Sequence, residues 1–149
     1  MYSNVPNLII GFHGCDRSTY ENVLYKHERL RASHNSYDWL GNGIYFWENS
    51  LDRAEEWAIS YCKRYNKKNP DKKQKEPAVI GAVISLGHCL DLTDYGSTSI
   101  LQTGYKILKL ELSLIGKTLP VNRNMNGSKD LLLRELDCAV IERIHQYNR

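Results

Sequence analysis

Two short stretches set chemistry-bearing side chains beside glycines. The apolar run Leu8-Ile9-Ile10-Gly11-Phe12 ends at His13-Gly14, and Gly41-Asn42-Gly43 leads into Ile44-Tyr45-Phe46-Trp47. Glycine lets a ligand approach the backbone closely. An imidazole nitrogen can hydrogen-bond a hydroxyl without carrying charge, and a tyrosine ring offers a flat face for stacking. Each feature also has a plain reading. His13 would be a satisfied histidine at a strand end, Tyr45 a core residue, and Gly41 and Gly43 the shapers of a turn.

Other chemistries find less support. The cysteines Cys15, Cys62, Cys89 and Cys138 show no CxxC spacing, and His27, His34, His88 and His145 lack spaced partners, so no metal site is expected. The N-terminus lacks the basic and apolar regions of a secretory signal, and no apolar run approaches the roughly 18 residues of a membrane span. A reduced, cytoplasmic chain without a membrane partner is the expectation, its cysteines buried or free. With 149 residues, 42% apolar and 25% charged, the chain fits one folded domain, and its net charge of +3 permits an anionic ligand without demanding one.

The elements that must position these residues follow from periodicity and turn signals. Residues 8–12 predict a buried strand, and the Ser18–Glu21 capping-box spacing predicts a short helix through Lys26. Residues 28–42 read as an ordered surface loop. Gly43 to Trp47 reads as a strand, followed by a helix capped at Asn49 or Ser50. The stripe Leu51, Ala54, Trp57, Ala58, Tyr61 and Tyr65 gives that helix an apolar face and explains Trp57 as core. The lysine-rich segment 63–76 reads as a flexible basic insert, and residues 78–86, apolar on both faces, as a central strand. Cys89 to Leu92 would continue it beyond a bend at Gly87. A helix over about 100–115 carries Gly104 as a weak point. Pro120 and residues 122–127 read as a loop, Gly127-Ser128 as the opening of the last element, and 129–147 as one long helix.

Phe12-His13-Gly14, then Gly41-Asn42-Gly43-Ile44-Tyr45-Phe46, then a helix with Ala54, resembles the poly(ADP-ribose) polymerase and diphtheria-toxin-like branch of the ADP-ribosyltransferases. That branch is marked by His, Tyr and usually Glu on three strands. The resemblance covers roughly the first half of the chain. It implies an α+β fold of two small packed β-sheets flanked by helices around an NAD cleft, with C-terminal strands missing here. It also implies a transferase that moves ADP-ribose from NAD, its substrate, to a protein or nucleic-acid acceptor. Small members of this kind resemble bacterial or phage toxins, which brings an antitoxin or inhibitor into view as a partner.

On this resemblance His13 would meet the adenosine ribose and Gly14 the nicotinamide carboxamide. Tyr45 would stack on the nicotinamide, with Trp57 as the second aromatic, one residue beyond the expected position. The loop over 30–42 would take the place of the donor loop. Arg31, Ser33, Asn35 and Asp38 would reach pyrophosphate or ribose hydroxyls, Gly43 would line the cleft, and Tyr37 and Trp39 would shield the adenine. Cleaving the nicotinamide–ribose bond creates an oxocarbenium-like sugar and calls for a nearby carboxylate. Glu135 and Glu142 are the only late glutamates, and both fall on the expected last helix. Three readings follow: a transferase whose acid comes from elsewhere, a non-catalytic NAD- or ADP-ribose-binding module or fragment of the same fold, and a basic RNA-binding domain using residues 63–76.

Overall fold

A computed structural model describes residues 3–124 and 131–148. Along the chain run β1 (Ser3–Asp16), α1 (Arg17–Lys26), β2 (Trp47–Glu48), α2 (Leu51–Lys68), β3 (Pro77–Cys89), α3 (Ser97–Leu114) and α4 (Glu135–Tyr147). The class is α+β. The three strands form one sheet in the order β2-β1-β3. The chain divides into two compact units, one from Val5–Arg31 and Ile44–Gly87, the other from Met1–Asn4, Ala32–Gly43 and His88–Arg149.

In the first, strand-bearing unit, β1 is the middle strand, and glycine leaves room on its face. A Cβ at Gly11 would lie 2.6 Å from Ile84 Cδ1 and 3.0 Å from Phe46 Cβ, so both side chains close over bare backbone. Strand β2 pairs antiparallel with β1, Gly11 opposite Glu48 and Phe12 opposite Trp47. The strand expected over Gly43–Trp47 is thus displaced toward its C-terminal end. The cause is local: Gly43 exchanges both backbone hydrogen bonds with Ser33, at 2.7 and 3.1 Å, and residues 44–46 lie between the two pairings.

The cap of α1 is Asp16, two residues before the expected Ser18. Its Oδ1 accepts the Thr19 N–H at 3.1 Å, satisfying one of the orphan amides of the first turn. Ser50 stands at the N-cap position of α2 as expected, but its side chain makes no cap hydrogen bond; Ala54, Ala58 and Cys62 form the buried line of the helix at four-residue spacing. The broader stripe narrows to these small residues, while Leu51 and Trp57 are exposed. The expected basic insert is helical through Lys68. Strand β3 passes through Gly87, at φ +51°, to Cys89. It lies at the sheet's edge instead of its centre, and Val83 is 71% exposed. Apolar composition on both faces does not specify how many neighbours a strand has.

The second, helical unit is built on α3 and α4, which pack together. Its buried residues include Cys138, Val140, Ile141 and Ile144 from α4, and Gly104 from α3. Helix α3 runs unbroken through Gly104, because that glycine is where α4 comes closest. A Cβ there would meet Ile144 Cγ1 at 2.6 Å and Cδ1 at 2.9 Å. Gly104→Val is therefore expected to lower stability by about 1–3 kcal/mol through overpacking. Valine's better helix propensity, worth a few tenths of a kcal/mol, will not offset this; urea denaturation reads the difference.

Helix α4 starts at Glu135, later than expected. The preceding chain is drawn into a bridge between Leu133 and Arg123, with hydrogen bonds of 2.8 and 3.0 Å. Its first turn is capped from outside: Asn122 Oδ1 accepts the Leu136 N–H at 2.9 Å and the Asp137 N–H at 3.3 Å. The expected opening at Gly127-Ser128 lies outside the described residues.

Candidate functional site

His13 and Tyr45, 32 residues apart, meet in the strand-bearing unit. His13 Nδ1 lies 2.8 Å from the Tyr45 carbonyl oxygen. A carbonyl only accepts, so Nδ1 carries the proton and donates. In the neutral ring that leaves a lone pair on Nε2. Among the described residues no protein group takes Nε2. The Phe46 ring flanks the imidazole, centroids 5.5 Å apart and planes tilted by 51°. A half-buried histidine is thus held at one nitrogen and offers the other as an acceptor for a hydroxyl.

Gly14 is buried, and its bare Cα is where β1 meets α2. A Cβ on it would stand 2.3 Å from the Ala54 carbonyl oxygen and 3.3 Å from the Ala58 nitrogen. Packing alone therefore requires glycine here. The small residues Ala54 and Ala58 on α2 serve the same close approach.

Trp57, expected as core on the α2 stripe, is 42% exposed. It stacks on Tyr61, centroids 5.2 Å apart and planes within 9°. Beyond that pair lies a cluster with no clear signal in the sequence. Lys75 Nζ donates to Asp16 Oδ2 at 2.9 Å and to Tyr61 Oη at 2.6 Å, and sits 4.8 and 4.5 Å from the ring centres of Tyr61 and Tyr65. Its backbone N–H and C=O are both taken by the Asn66 side chain, at 2.8 and 2.9 Å. One of seven lysines and arginines within 63–76 is thereby a fixed post. Residue type and spacing distinguish neither Asp16 nor Lys75 from its neighbours.

The loop residues Ser33, Asn35, Asp38 and Gly43 come together in the helical unit. Ser33 Oγ donates to Asp38 Oδ2, the Asn35 N–H reaches the same oxygen at 3.1 Å, and Asn35 Nδ2 donates to Ser33 Oγ at 2.9 Å. These polar groups order the loop by bonding one another. Tyr37 gives its carbonyl to the Arg134 N–H at 3.4 Å, and Trp39 Nε1 donates to the Leu132 carbonyl at 3.3 Å. Arg31 is exposed and belongs to the strand-bearing unit.

Both late glutamates lie on α4 in the helical unit, and both have protein partners. Glu135 pairs with Arg123 at 2.5 Å, and Glu142 Oε1 accepts the Asn42 N–H at 2.6 Å. Beside it Gly41 has φ +80°, and a Cβ there would stand 2.5 Å from the same Glu142 oxygen. The positive φ is what calls for glycine at 41, since the end of the Glu142 side chain can shift.

The buried thiols of Cys15, Cys62 and Cys138 are poor nucleophiles. Burial, reinforced by the Asp16 carboxylate and Cys62, pushes the Cys15 thiol up to about 11, and burial also raises Cys62 and Cys138. Among the described residues no group of three potential ligands could hold a metal ion, and no helix is long and apolar enough to cross a membrane. Among the described residues, two of the cavities lie along α3 and α4 in the helical unit, and neither of these is lined by His13, Gly14 or Tyr45.

No known family profile matches the chain, and no solved structure matches it. An uncharacterized protein of Methanocaldococcus jannaschii, MJ0359, is 29% identical over 99 residues. The match takes in 65% of this chain and 43% of that protein, so the chain spans less than half the length of its relative.

Proposed function

We propose that the chain is an NAD-dependent ADP-ribosyltransferase domain. The reaction would break the bond between ribose C1′ and the nicotinamide nitrogen, the electron pair leaving with nicotinamide. An acceptor heteroatom would then bond to C1′ and give up its proton. The supporting observation is the hydrogen bond from His13 Nδ1 to the Tyr45 carbonyl. It joins the two residues that carry the resemblance and orients Nε2 as the acceptor that a ribose hydroxyl needs. Tyr45 would supply the stacking face for nicotinamide, and Gly14 its backbone N–H and C=O for the carboxamide.

A second reading has its own support. The carboxylates of Glu135 and Glu142 are engaged by Arg123 and Asn42, which favours a module that binds NAD or ADP-ribose without consuming it. Calorimetry with NAD, alongside assay of nicotinamide release in the presence of candidate acceptors, separates the two. For either reading, His13→Ala is expected to weaken NAD binding about tenfold, the worth of a hydrogen bond at the upper end of its usual net range of about 0.5–1.5 kcal/mol. Tyr45→Ala is expected to weaken it at least as much. Absence of NAD binding by the folded wild-type chain would exclude both readings.

A further inference from the structure

The larger of the two cavities is unrelated to the His13–Tyr45 pair. It has a volume of about 800 Å³ and opens along α3 and α4 under the loop residues Trp39 and Leu40, wholly within the helical unit. We propose that it is a binding site for an apolar carboxylate, an acyl chain with an anionic head.

The floor argues for the chain. Leu101 from α3 and Leu136, Val140 and Ile141 from α4 line it, and the volume falls in the range of roughly 300–1,000 Å³ typical of small-molecule sites. Covering apolar surface of this kind gains about 25 cal/mol per Å².

The rim argues for the head. Arg134 is partly engaged: its Nη1 donates to Asp137 Oδ2 at 3.1 Å and its guanidinium lies 5.1 Å from the Trp39 ring centre, while its buried Nε has no hydrogen-bond partner among the described residues. That pair neutralises the one acid of the lining. Lys106 and Lys109 remain, exposed and without a carboxylate partner among the described residues. Three positions apart on α3, their Cβ atoms lie about 5–6 Å from each other, so one carboxylate can meet both ammonium groups. A cationic amphiphile would meet like charge there, and a neutral one would gain nothing from either lysine.

The test uses the full chain and dodecanoate below its micellar concentration, followed by calorimetry and tryptophan emission. The comparison probes are dodecanol, dodecyltrimethylammonium and vesicles of phosphatidylglycerol. One-to-one saturable binding of dodecanoate is expected, at least tenfold tighter than that of dodecanol or the ammonium compound. The emission change should be lost in Trp39→Phe, which leaves Trp47 and Trp57 in place. The double variant Lys106→Glu/Lys109→Glu, exposed and so expected to keep its circular dichroism, should weaken dodecanoate at least tenfold and no longer discriminate against the ammonium probe. The proposal is overturned by equal affinity for all three amphiphiles, by binding indifferent to the charge reversal, or by vesicle binding without binding of the monomeric acid. An emission change that persists without Trp39 also overturns it.

Discussion

Asp16→Ala is expected to destabilise the protein by about 3 kcal/mol. Removing one partner of a buried ion pair typically costs about 3–5 kcal/mol, because the other charge is left without compensation. The Asp16 side chain is 8% exposed and that of Lys75 25%. The orphaned ammonium can therefore reach some water, which places the figure at the lower end of the range. Loss of the α1 cap is included in it, itself worth about 1 kcal/mol. The companion Lys75→Met should be costly too, and the double variant should lose less than the sum of the singles, since no charge is then stranded. Chemical denaturation of the four proteins closes the cycle.

The same pair sets a dependence on pH. Burial alone would raise the Asp16 carboxyl, but the Lys75 ammonium and the Thr19 amide outweigh it and hold it below the ordinary carboxylate range. A carboxyl depressed by folding stabilises above its unfolded value of about 3.9 and loses that contribution as pH falls toward its folded value. For Lys75, burial would lower the amine, yet the bonds to Asp16 and Tyr61 raise it above its ordinary value. Its contribution is complete below about pH 10.4 and fades as pH rises through the folded value. Stability from this pair should therefore be level between about pH 5 and pH 10 and fall on either side. In Asp16→Asn the acid limb should flatten relative to wild type.

Gly14→Val is expected to be comparably damaging, at about 3 kcal/mol or more, for a reason unrelated to charge. Overpacked cores usually lose about 1–3 kcal/mol, because side chains rotate away from the intruding atoms. Here the nearest atoms are the carbonyl of Ala54 and the amide nitrogen of Ala58, the backbone of α2 itself. They can yield only if the helix shifts as a body. Ala54→Gly should fail to rescue the variant, because the clash does not involve the alanine methyl. A denaturation midpoint equal to wild type would mean that β1 and α2 are not packed as described.

The sequence shows elements best where a local signal decides them. Helix α1 ends at Lys26, α2 follows Ser50, and the apolar run after Pro77 is a strand, because periodicity and β-branching act within a few positions. It is less informative where a distant partner decides. Ser33 takes Gly43 out of the expected strand, and the Arg123–Leu133 bridge delays the start of α4. Asn122 caps that helix from thirteen positions before its first residue. For the candidate site, residue types pointed to His13 and Tyr45, yet not to the contact itself, which uses a main-chain carbonyl that every residue possesses. Trp57 sat on a periodic stripe, but the buried line of α2 is set by how closely Gly14 draws the helix, which favours alanine and cysteine over indole. Lys75 carried no signal, since only the positions of Asp16, Tyr61 and Asn66 distinguish it from other lysines.

The stretch from Ala32 to Gly43 is fastened by residues that emerge from the ribosome long after it. Asn42 waits for Glu142, a separation of 100 positions, and Asn35 gives its carbonyl to the Cys138 thiol, 103 positions on. Closing so long a loop delays contacts that local helices make at once. During synthesis this stretch has to remain unanchored until α4 has been made, and refolding from denaturant should show its protection against hydrogen exchange among the last to appear.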